Sequence, residues 1–247
     1  MRRTATVVEA REVGAYRWLA CSDDGPAPRP GQFYMLAAVE EWGGGDGERP
    51  FLPRAFSYLR AGDGRVEFLW EDVGPGTRRL SELQAGDGLW LLGPLGNGFT
   101  AAPGPLLVGG GIGIVPLACW QDTVGGLALL GFRDERHAEA AELMSGEVEL
   151  ATDDGSSGHV GFVTELLASA LDRDPVVTVY ACGPPPMLEG VRALCAERGV
   201  PAQLALESGM ACGFGACFGC VVPTRTGYVR LCVDGPVLAA GELEAVA

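Results

Sequence analysis

The sequence predicts a multidomain β plus α/β protein. We expect an antiparallel β-barrel over residues 1–99, a parallel-sheet α/β domain over residues 100–205, and a small C-terminal domain over residues 206–247. Short apolar runs separated by Gly and Pro fill the first segment, apolar strands alternate with helical patterns in the second, and four cysteines are concentrated in the third. A chain of 247 residues is long enough for two or three domains of ordinary size.

The first segment reads as a succession of short strands. They are predicted at Thr4–Glu9, Tyr16–Ala20, Gln32–Ala37, Ala55–Leu59, Val66–Trp70 and Gly88–Leu92. Strands of this length, divided by turn residues at regular intervals, favour an antiparallel barrel. A short helix capped by Thr77 is expected at Thr77–Leu83, and the glycine-rich run at residues 43–47 is expected to be a loop.

The second segment alternates strands with helices. Pro105–Pro116 is a buried strand that runs into a glycine loop, and a helix starts at Pro116–Asp122. The further strands are predicted at Leu127–Phe132, Val148–Thr152 and Val176–Cys182, and the further helices at Ala138–Met144, Val163–Asp172 and Pro186–Arg198. This alternation predicts a parallel sheet with helices on both faces.

Charge and hydropathy restrict the partners of the chain. A formal net charge of −14 disfavours nucleic acid and anionic membrane surfaces as partners. No run of 18 apolar residues predicts a membrane span. The first residues read as a β-strand instead of a targeting signal, and together with free-thiol chemistry they lead us to expect a cytoplasmic protein.

Four cysteines carry the strongest chemical signal in the chain. Cys212, Cys217 and Cys220 have the spacing C-x4-C-x2-C, and Cys232 follows after eleven residues. This is the plant-type ligand spacing of a [2Fe–2S] cluster. The glycines between the thiols allow the backbone to curl closely around a cluster. Because such a cluster carries single electrons, we expect the chain to transfer electrons.

A zinc site and a disulfide framework are the two alternative interpretations of these cysteines. Structural zinc sites usually present C-x2-C pairs, and only Cys217 and Cys220 form one here. A disulfide framework is typical of small secreted chains, whereas this chain can bury a core of its own. The scattered Cys21, Cys119 and Cys195 are expected to be buried apolar residues.

Four short motifs point to nucleotide binding. Arg54 and Ser57 lie at the start of the fourth predicted strand, where a guanidinium suits a pyrophosphate, although an arginine before a strand is usually a surface residue. Gly74–Thr77 precedes a helix whose free N–H groups favour an anion, or Thr77 is simply its cap. Gly109–Gly113 follows a buried strand and opens a helix, as a dinucleotide-binding turn does, although a tight turn without ligand remains the alternative. The loop that starts at Cys182 follows another strand and would lie at the same sheet edge.

Taken together, these motifs resemble the ferredoxin–NADP reductase superfamily over nearly the whole chain. Within it, they look most like the electron-transfer subunits of class B, NAD-dependent dihydroorotate dehydrogenases. The segments that carry the resemblance are Arg54–Ser57, Gly74–Thr77, Gly93–Phe99, Val108–Gly113, Thr152–Ser156, Cys182–Leu188, Cys212–Cys220 and Cys232–Val237.

The resemblance implies three redox groups and a partner. It implies FAD in the barrel, NAD on the α/β domain and a [2Fe–2S] cluster on the four cysteines. A separate FMN-containing catalytic subunit would oxidise dihydroorotate in pyrimidine (UMP) biosynthesis, in a heterotetramer of two catalytic and two electron-transfer subunits. The chain itself shows no base or nucleophile for orotate chemistry, which favours a carrier subunit.

The resemblance also assigns site residues. For the cofactors it implies Arg54, Ala55, Phe56, Ser57, Leu69, Trp70, Glu71, Gly76 and Thr77 at FAD, and Gly110, Gly111, Gly113, Cys182, Gly183 and Pro184 at NAD. Two of these positions depart from the family pattern. Phe56 replaces a tyrosine, and Glu71 stands where relatives tend to carry a basic residue.

Other functions stay open at the level of sequence. One is the small subunit of a sulfide dehydrogenase or ferredoxin–NADP transhydrogenase, in which one cluster ligand is an aspartate. A hydrogenase-associated diaphorase subunit is a further relative. A non-enzymatic iron–sulfur redox sensor belongs to another class, and the intact Gly109–Gly113 and Cys182–Met187 loops count against it.

Overall fold

Residues 2–44, 49–174 and 176–244 are described by the structure, which is a computed structural model. Of the loop expected at residues 43–47, residues 45–47 lie outside this part of the chain. No helix in the described ranges is both long and apolar enough to cross a membrane.

Six antiparallel strands close into the N-terminal barrel. They are β1 (Arg2–Val13), β2 (Tyr16–Ser22), β3 (Phe33–Ala38), β4 (Arg54–Gly62), β5 (Arg65–Trp70) and β6 (Gly88–Leu95). Their order around the barrel is β1-β2-β5-β4-β3-β6, so β6 pairs with both β1 and β3 and leaves no free edge. One helix, α1 (Pro75–Ser81), lies between β5 and β6.

Aromatic and aliphatic side chains fill the barrel. Tyr34, Phe68 and Leu89 are fully buried, and the Tyr34 and Phe68 rings meet edge to face at 5.5 Å. Burial of each such side chain contributes about 1.5–3 kcal/mol. The polar partner of this core is Arg3, which donates to the carboxylate of Asp23 at 2.5 and 2.6 Å. A largely buried charge is therefore matched by an opposite charge, as burial requires.

Six parallel strands form the α/β domain. They are β7 (Pro105–Gly110), β8 (Leu127–Phe132), β9 (Val148–Thr152), β10 (His159–Val160), β11 (Thr178–Cys182) and β12 (Ala202–Ala205), in the order β10-β9-β8-β7-β11-β12. The chain reverses its direction of winding at β7, so the carboxyl ends of β7 and β11 adjoin. Such a switch point is where α/β sheets bind ligands.

Helices cover both faces of this sheet. They are α2 (Ile114–Val124), α3 (Glu135–Ala138), α4 (Val163–Arg173) and α5 (Pro185–Arg198). Apolar residues of α4 and α5 pack in one cluster, and those of α2 and α3 pack in another with barrel residues such as Trp18. The Arg60–Asp122 ion pair, at 2.7 Å, also joins β4 to α2. The barrel is thereby held against one face of the sheet.

The C-terminal segment returns to the α/β sheet. It contains the hairpin β13 (Val221–Thr224) and β14 (Gly227–Arg230), and then β15 (Val237–Ala239). β15 pairs antiparallel with β12, so it becomes the seventh strand of the sheet. Asn97 ties the same stretch to the barrel: its amide donates to the carbonyls of Asp234 and Val237 and accepts from the Val237 N–H.

Several sequence expectations need correction. Thr77 does not cap α1, because Pro75 sits at the first turn and Gly74 is the N-terminal cap. The region predicted as one helix at Ala138–Met144 is instead the end of α3 followed by a 3-10 turn at Glu139–Leu143. β1 continues well past Glu9, because it forms the hairpin with β2 up to the Val13–Tyr16 pair.

Candidate functional site

A cavity between the barrel and the α/β domain gathers most residues that the resemblance assigns to FAD. From the barrel it is lined by Ala55, Phe56, Ser57, Leu69, Trp70, Glu71 and Thr77. Phe56 and Trp70 are tilted against each other with ring centroids 5.6 Å apart. Apolar walls with a few polar groups suit a planar heteroaromatic ring such as a flavin.

The opposite wall of this flavin cavity comes from elements that sequence reasoning did not assign. It is formed by Ile112, Val115 and Pro116 at the start of α2, and by Leu206, Glu207, Ser208 and Met210 after β12. The second group directly follows the carboxyl end of a sheet strand, and this position was the signal that could have found it. Met210 lies two residues before Cys212, so the cysteine loop begins at the wall of the cavity.

Arg54, the first residue of β4, does not line the cavity and instead lies beside Gly76 in the first turn of α1. A Cβ atom on Gly76 would come within 2.4 Å of the Arg54 Nε, so only glycine leaves room for the guanidinium there. The Thr77 hydroxyl accepts hydrogen bonds from the N–H groups of Val73 and Gly74 at 2.9 and 3.0 Å. This loop therefore presents a cation beside a tightly closed turn, which suits a pyrophosphate.

A second cavity opens over the carboxyl ends of β7, β8 and β11. Four residues expected at NAD line it, namely Gly110, Gly111, Gly183 and Pro184. A Cβ on Gly110 would lie 2.5 Å from the Met187 Sδ, so glycine keeps the floor of this dinucleotide cavity open. Glu71, Ile112 and Glu207 line both cavities, which are therefore continuous.

Gly113 and Cys182 occupy positions different from those of the other NAD candidates. A Cβ on Gly113 would lie 2.2 Å from the Cys182 carbonyl oxygen, so Gly113 allows two loops to pack and does not line the dinucleotide cavity. Cys182 lies in the apolar core and also lines the flavin cavity. Burial raises the pKa of its thiol well above the usual range, and the nearby Glu207 carboxylate adds to this. The thiol is therefore neutral at physiological pH.

Glu207 stands where the two cavities meet. Water reaches its carboxylate through the open cleft, while protein surrounds it on the other sides and this desolvation raises its pKa. Sequence reasoning did not select this residue, although it follows β12 directly.

The four cysteines of the C-terminal loop are arranged as two pairs. The Sγ atoms of Cys220 and Cys232 are 3.2 Å apart, and the Cys212 thiol is hydrogen-bonded to Cys217. All four are free thiols, so they do not form a disulfide framework. The Cys220–Cys232 separation is also much longer than the S–S bond of about 2.05 Å. Two thiolates on each of two irons is the ligand set that a [2Fe–2S] cluster needs.

The backbone around Cys212 favours its thiolate form. Burial opposes ionisation of Cys212, but N–H groups of Phe214, Cys217 and Ala216 outweigh it and lower the pKa to about 6. Burial and the neighbouring Cys220 raise the pKa of Cys232 to about 11, as expected for two thiols that share one place. A bound metal ion would stabilise the thiolate form of both Cys220 and Cys232, because coordination deprotonates a thiol.

The loop curls at residues that only partly match expectation. Gly213 and Gly215 have φ of +78° and +87°, and a Cβ on Gly213 would lie 2.5 Å from the Met35 side chain. Gly219 does not have a positive φ; the left-handed position falls on Phe218, with φ of +59°. Gly219 instead brings its N–H to 3.4 Å from the Cys217 Sγ.

A single-ion site does not emerge from the same cysteines. Within the described residues, no group of three or more His, Cys, Asp or Glu side chains is placed to hold one metal ion. A tetrahedral zinc site would bring four ligands around one point. The two cysteine pairs match the two thiolates that each iron of a [2Fe–2S] cluster takes.

Comparisons with solved structures define the class of protein. The fold matches an NADH-dependent reduced ferredoxin–NADP oxidoreductase with a TM-score of 0.81 and 26% identity, covering 98% of this chain and 90% of that one. It also matches the ferredoxin reductase of carbazole 1,9a-dioxygenase with a TM-score of 0.67 and 25% identity, over 81% and 66% of the two chains. The barrel, the α/β sheet and the two joined cavities thus define a flavin reductase of the ferredoxin reductase type.

Comparisons of sequence give the family. The chain is 37% identical over 228 residues to the dihydroorotate dehydrogenase B (NAD+) electron transfer subunit of Caldanaerobacter subterraneus, covering 89% of this chain and 88% of that one. It is 40% identical over 233 residues to the same subunit of Bacillus caldolyticus, covering 87% and 86%. Residues 207–244 match the iron–sulfur cluster binding domain of dihydroorotate dehydrogenase B. The chain belongs to the family of dihydroorotate dehydrogenase B electron transfer subunits.

Proposed function

We propose that this protein passes electrons from a dihydroorotate-oxidising, FMN-containing subunit, through a [2Fe–2S] cluster and FAD, to NAD+ in pyrimidine biosynthesis. One observation carries the proposal. The cysteine loop, the flavin cavity and the dinucleotide cavity adjoin in that order, with Met210 at the first junction and Glu71, Ile112 and Glu207 at the second. A flavin exchanges electrons singly with a cluster and in pairs, as hydride, with a nicotinamide, so it belongs in the middle position.

The residues of the flavin cavity divide the work of holding FAD. Arg54, beside Gly76 and Thr77, binds the pyrophosphate, where its planar fork matches phosphate oxygens. Phe56 and Trp70 pack on the flavin ring system, with Ala55, Ser57, Leu69 and Glu71 around it. Phe56 keeps the packing surface of the tyrosine that it replaces but offers no hydroxyl.

The other two sites follow from the same geometry. Gly110, Gly111, Gly183 and Pro184 bind NAD(H) at the carboxyl ends of β7 and β11, and Cys182 sits beneath the junction with the flavin cavity. Cys212 and Cys217 ligate one iron of the cluster, and Cys220 and Cys232 the other. The three functional domains are residues 1–99, 100–205 and 206–247. These free thiols require a reducing compartment, and we assign the protein to the cytoplasm.

An apolar groove beside the cysteine loop is where we place the catalytic partner subunit. Phe214, Phe218 and Phe51 are 59%, 63% and 71% exposed, and Phe51 and Phe214 line the same groove as Cys212. Exposed aromatic side chains next to a redox site are suited to anchor a protein partner. Two electron-transfer and two catalytic subunits would complete the heterotetramer.

The decisive experiment measures NAD+ reduction with dihydroorotate as donor. The protein is mixed with an FMN-containing dihydroorotate dehydrogenase subunit, and each chain is also assayed alone. Activity that needs both chains supports the proposal. If FAD and cluster are both present by absorbance and the mixture is inactive, the proposal fails, and reduced ferredoxin or sulfide becomes the donor to test.

A further inference from the structure

Glu71 lies at the junction of the two cavities and is paired across it. It directly follows β5 of the barrel, while both partners of its carboxylate belong to the α/β domain. Arg133 Nη2 is 3.3 Å and His137 Nε2 3.6 Å from the same Glu71 oxygen.

The two partners of Glu71 are held to very different degrees. His137 is 11% exposed, its Nδ1 donates to the Asp134 carboxylate at 2.6 Å, and the Tyr16 ring meets it edge-on at 5.5 Å. Arg133 is 61% exposed, and in the described part of the chain its only ion pair is the one with Glu71. The histidine is therefore fixed, whereas the guanidinium can turn to a new partner at small cost.

The dinucleotide cavity offers an incoming pyrophosphate few cations. Among its described lining residues, Arg133 is the only side chain with a permanent positive charge, and three carboxylates line the same space: Glu71, Asp153 and Glu207. A dinucleotide carries two phosphate charges into this cavity. A guanidinium matches phosphate oxygens in geometry as well as in charge.

We propose that Glu71 and the dinucleotide pyrophosphate compete for Arg133. In the free protein Glu71 holds the guanidinium at the cavity wall; on binding, Arg133 leaves the carboxylate and pairs with the phosphates, while Glu71 stays beside His137. Glu71 thus lowers the affinity for NAD(H), and Arg133 raises it. This inference rests on the proposed role of the cavity as the NAD(H) site.

The competition predicts opposite effects of two neutralising variants on the dissociation constant of NAD+. Glu71→Gln should tighten binding about 1.4- to fivefold, because an ion pair of this exposure contributes about 0.2–1 kcal/mol. Arg133→Gln should weaken it about tenfold or more, because hydrogen bonds to charged groups are worth about 1.5–3 kcal/mol. In the double variant, Glu71→Gln should no longer tighten binding, because its effect acts through Arg133.

The measurement is a calorimetric titration of the oxidised, FAD- and cluster-loaded protein with NAD+, which binds without reducing the flavin, and flavin content is determined for every variant. Two matched controls lie away from both cavities. Glu9→Gln removes one acid from the barrel, and Arg173→Gln removes an arginine of nearly the same exposure from the α/β domain, at 60%. Both should leave the dissociation constant unchanged.

Three results would overturn the inference. If Glu71→Gln changed the dissociation constant no more than Glu9→Gln does, the effect would come only from the change in net charge. Glu71→Gln that weakens binding would make Glu71 a direct ligand. Tightening that persists in the double variant would show that Arg133 is not the shared partner. Failure of the wild-type protein, with FAD bound, to bind NAD+ at all is a different result, because it removes the proposed function of the cavity itself.

Discussion

The barrel and the cysteine segment (residues 206–244) are stabilised in different ways. The barrel closes around a cluster of buried residues that is almost entirely its own, and no strand edge is left open. The cysteine segment has a two-stranded hairpin, and its buried residues Cys220, Leu231 and Cys232 belong to the core of the α/β domain. A segment this small depends on docking and on its metal site for stability.

This difference indicates which part of the proposed electron path keeps its structure when a cofactor is lost. Cofactor binding in the barrel draws on a scaffold that exists without the cofactor. The cluster ligands stand on a loop that carries the exposed Phe214 and Phe218. Loss of the cluster should therefore leave the flavin site working, and loss of FAD should have little effect on the cluster.

The largest expected effect comes from breaking the cluster alone. Cys217→Ser should abolish the cluster and electron flow from dihydroorotate, because one iron loses a thiolate ligand. FAD content and NADH-dependent dye reduction should stay near wild type, which absorbance and a diaphorase assay measure. Cys195→Ala, which removes a buried thiol on α5, is the control and should keep the cluster. Loss of FAD together with the cluster would mean that the segment is integral to the barrel.

The next effect concerns the tie between the two regions. Asn97→Ala removes three hydrogen bonds to Asp234 and Val237, which at about 0.5–1.5 kcal/mol each should lower the free energy of unfolding by about 2–4 kcal/mol. Hydrogen exchange should rise first in residues 206–244 and leave the barrel strands protected. Gln203→Ala, which removes two bonds to the Thr100 backbone, is the matched control and should leave the cysteine segment protected. Uniform loss of protection would contradict the separation of the regions.

A smaller effect should come from the flavin site of the barrel. Arg54→Ala should weaken FAD about tenfold, because a charge-assisted bond to phosphate is lost. The cluster should remain, as iron content measures. Arg65→Ala, a barrel arginine whose ion pair with Glu9 is solvent-exposed, is the control. Unchanged flavin occupancy in the Arg54 variant would remove Arg54 from the pyrophosphate site.

The smallest effect is a pH dependence of the barrel. Burial raises the pKa of Asp23, but the hydrogen bonds from Arg3 outweigh it and the net shift is downward. A carboxyl whose pKa is lowered by folding stabilises the fold above its unfolded pKa, near 3.9, and loses this contribution as pH falls further. Partial solvent contact limits it to about 1 kcal/mol. In urea unfolding between about pH 6 and pH 3, the free energy of unfolding should therefore change less steeply with pH in an Arg3→Met/Asp23→Asn variant than in the wild type. Equal slopes would exclude this pair as the source.

Much of the fold could be predicted because its apolar runs are short and clearly bounded. Leu127–Phe132 and Val148–Thr152 have the predicted limits, since glycines or charged residues flank each buried strand. The helix start at Pro75 was missed because a threonine two residues later offered a plausible cap. The later half of β1 was missed because its residues are exposed and polar, and pairing with β2 decides their conformation.

The candidate site was less predictable where it depends on contacts distant in sequence. Consecutive motifs such as Ala55–Ser57 and Gly110–Gly111 are local patterns and do line the cavities. The pairing of Glu71 with Arg133 joins two domains, and no local pattern announces it. Leu206–Met210 became cavity residues only because β12 ends beside the barrel.

The return of β15 to the sheet has a consequence for how such proteins change. Ala205 pairs with Val237, and the Leu206 N–H donates to the Pro236 carbonyl, so the chain leaves and re-enters the sheet at one point. Residues 207–235 therefore form an insertion between the adjacent ends of two neighbouring strands. A different insertion can replace this one without a change in strand order, so the same reductase fold can accept electrons from a different donor.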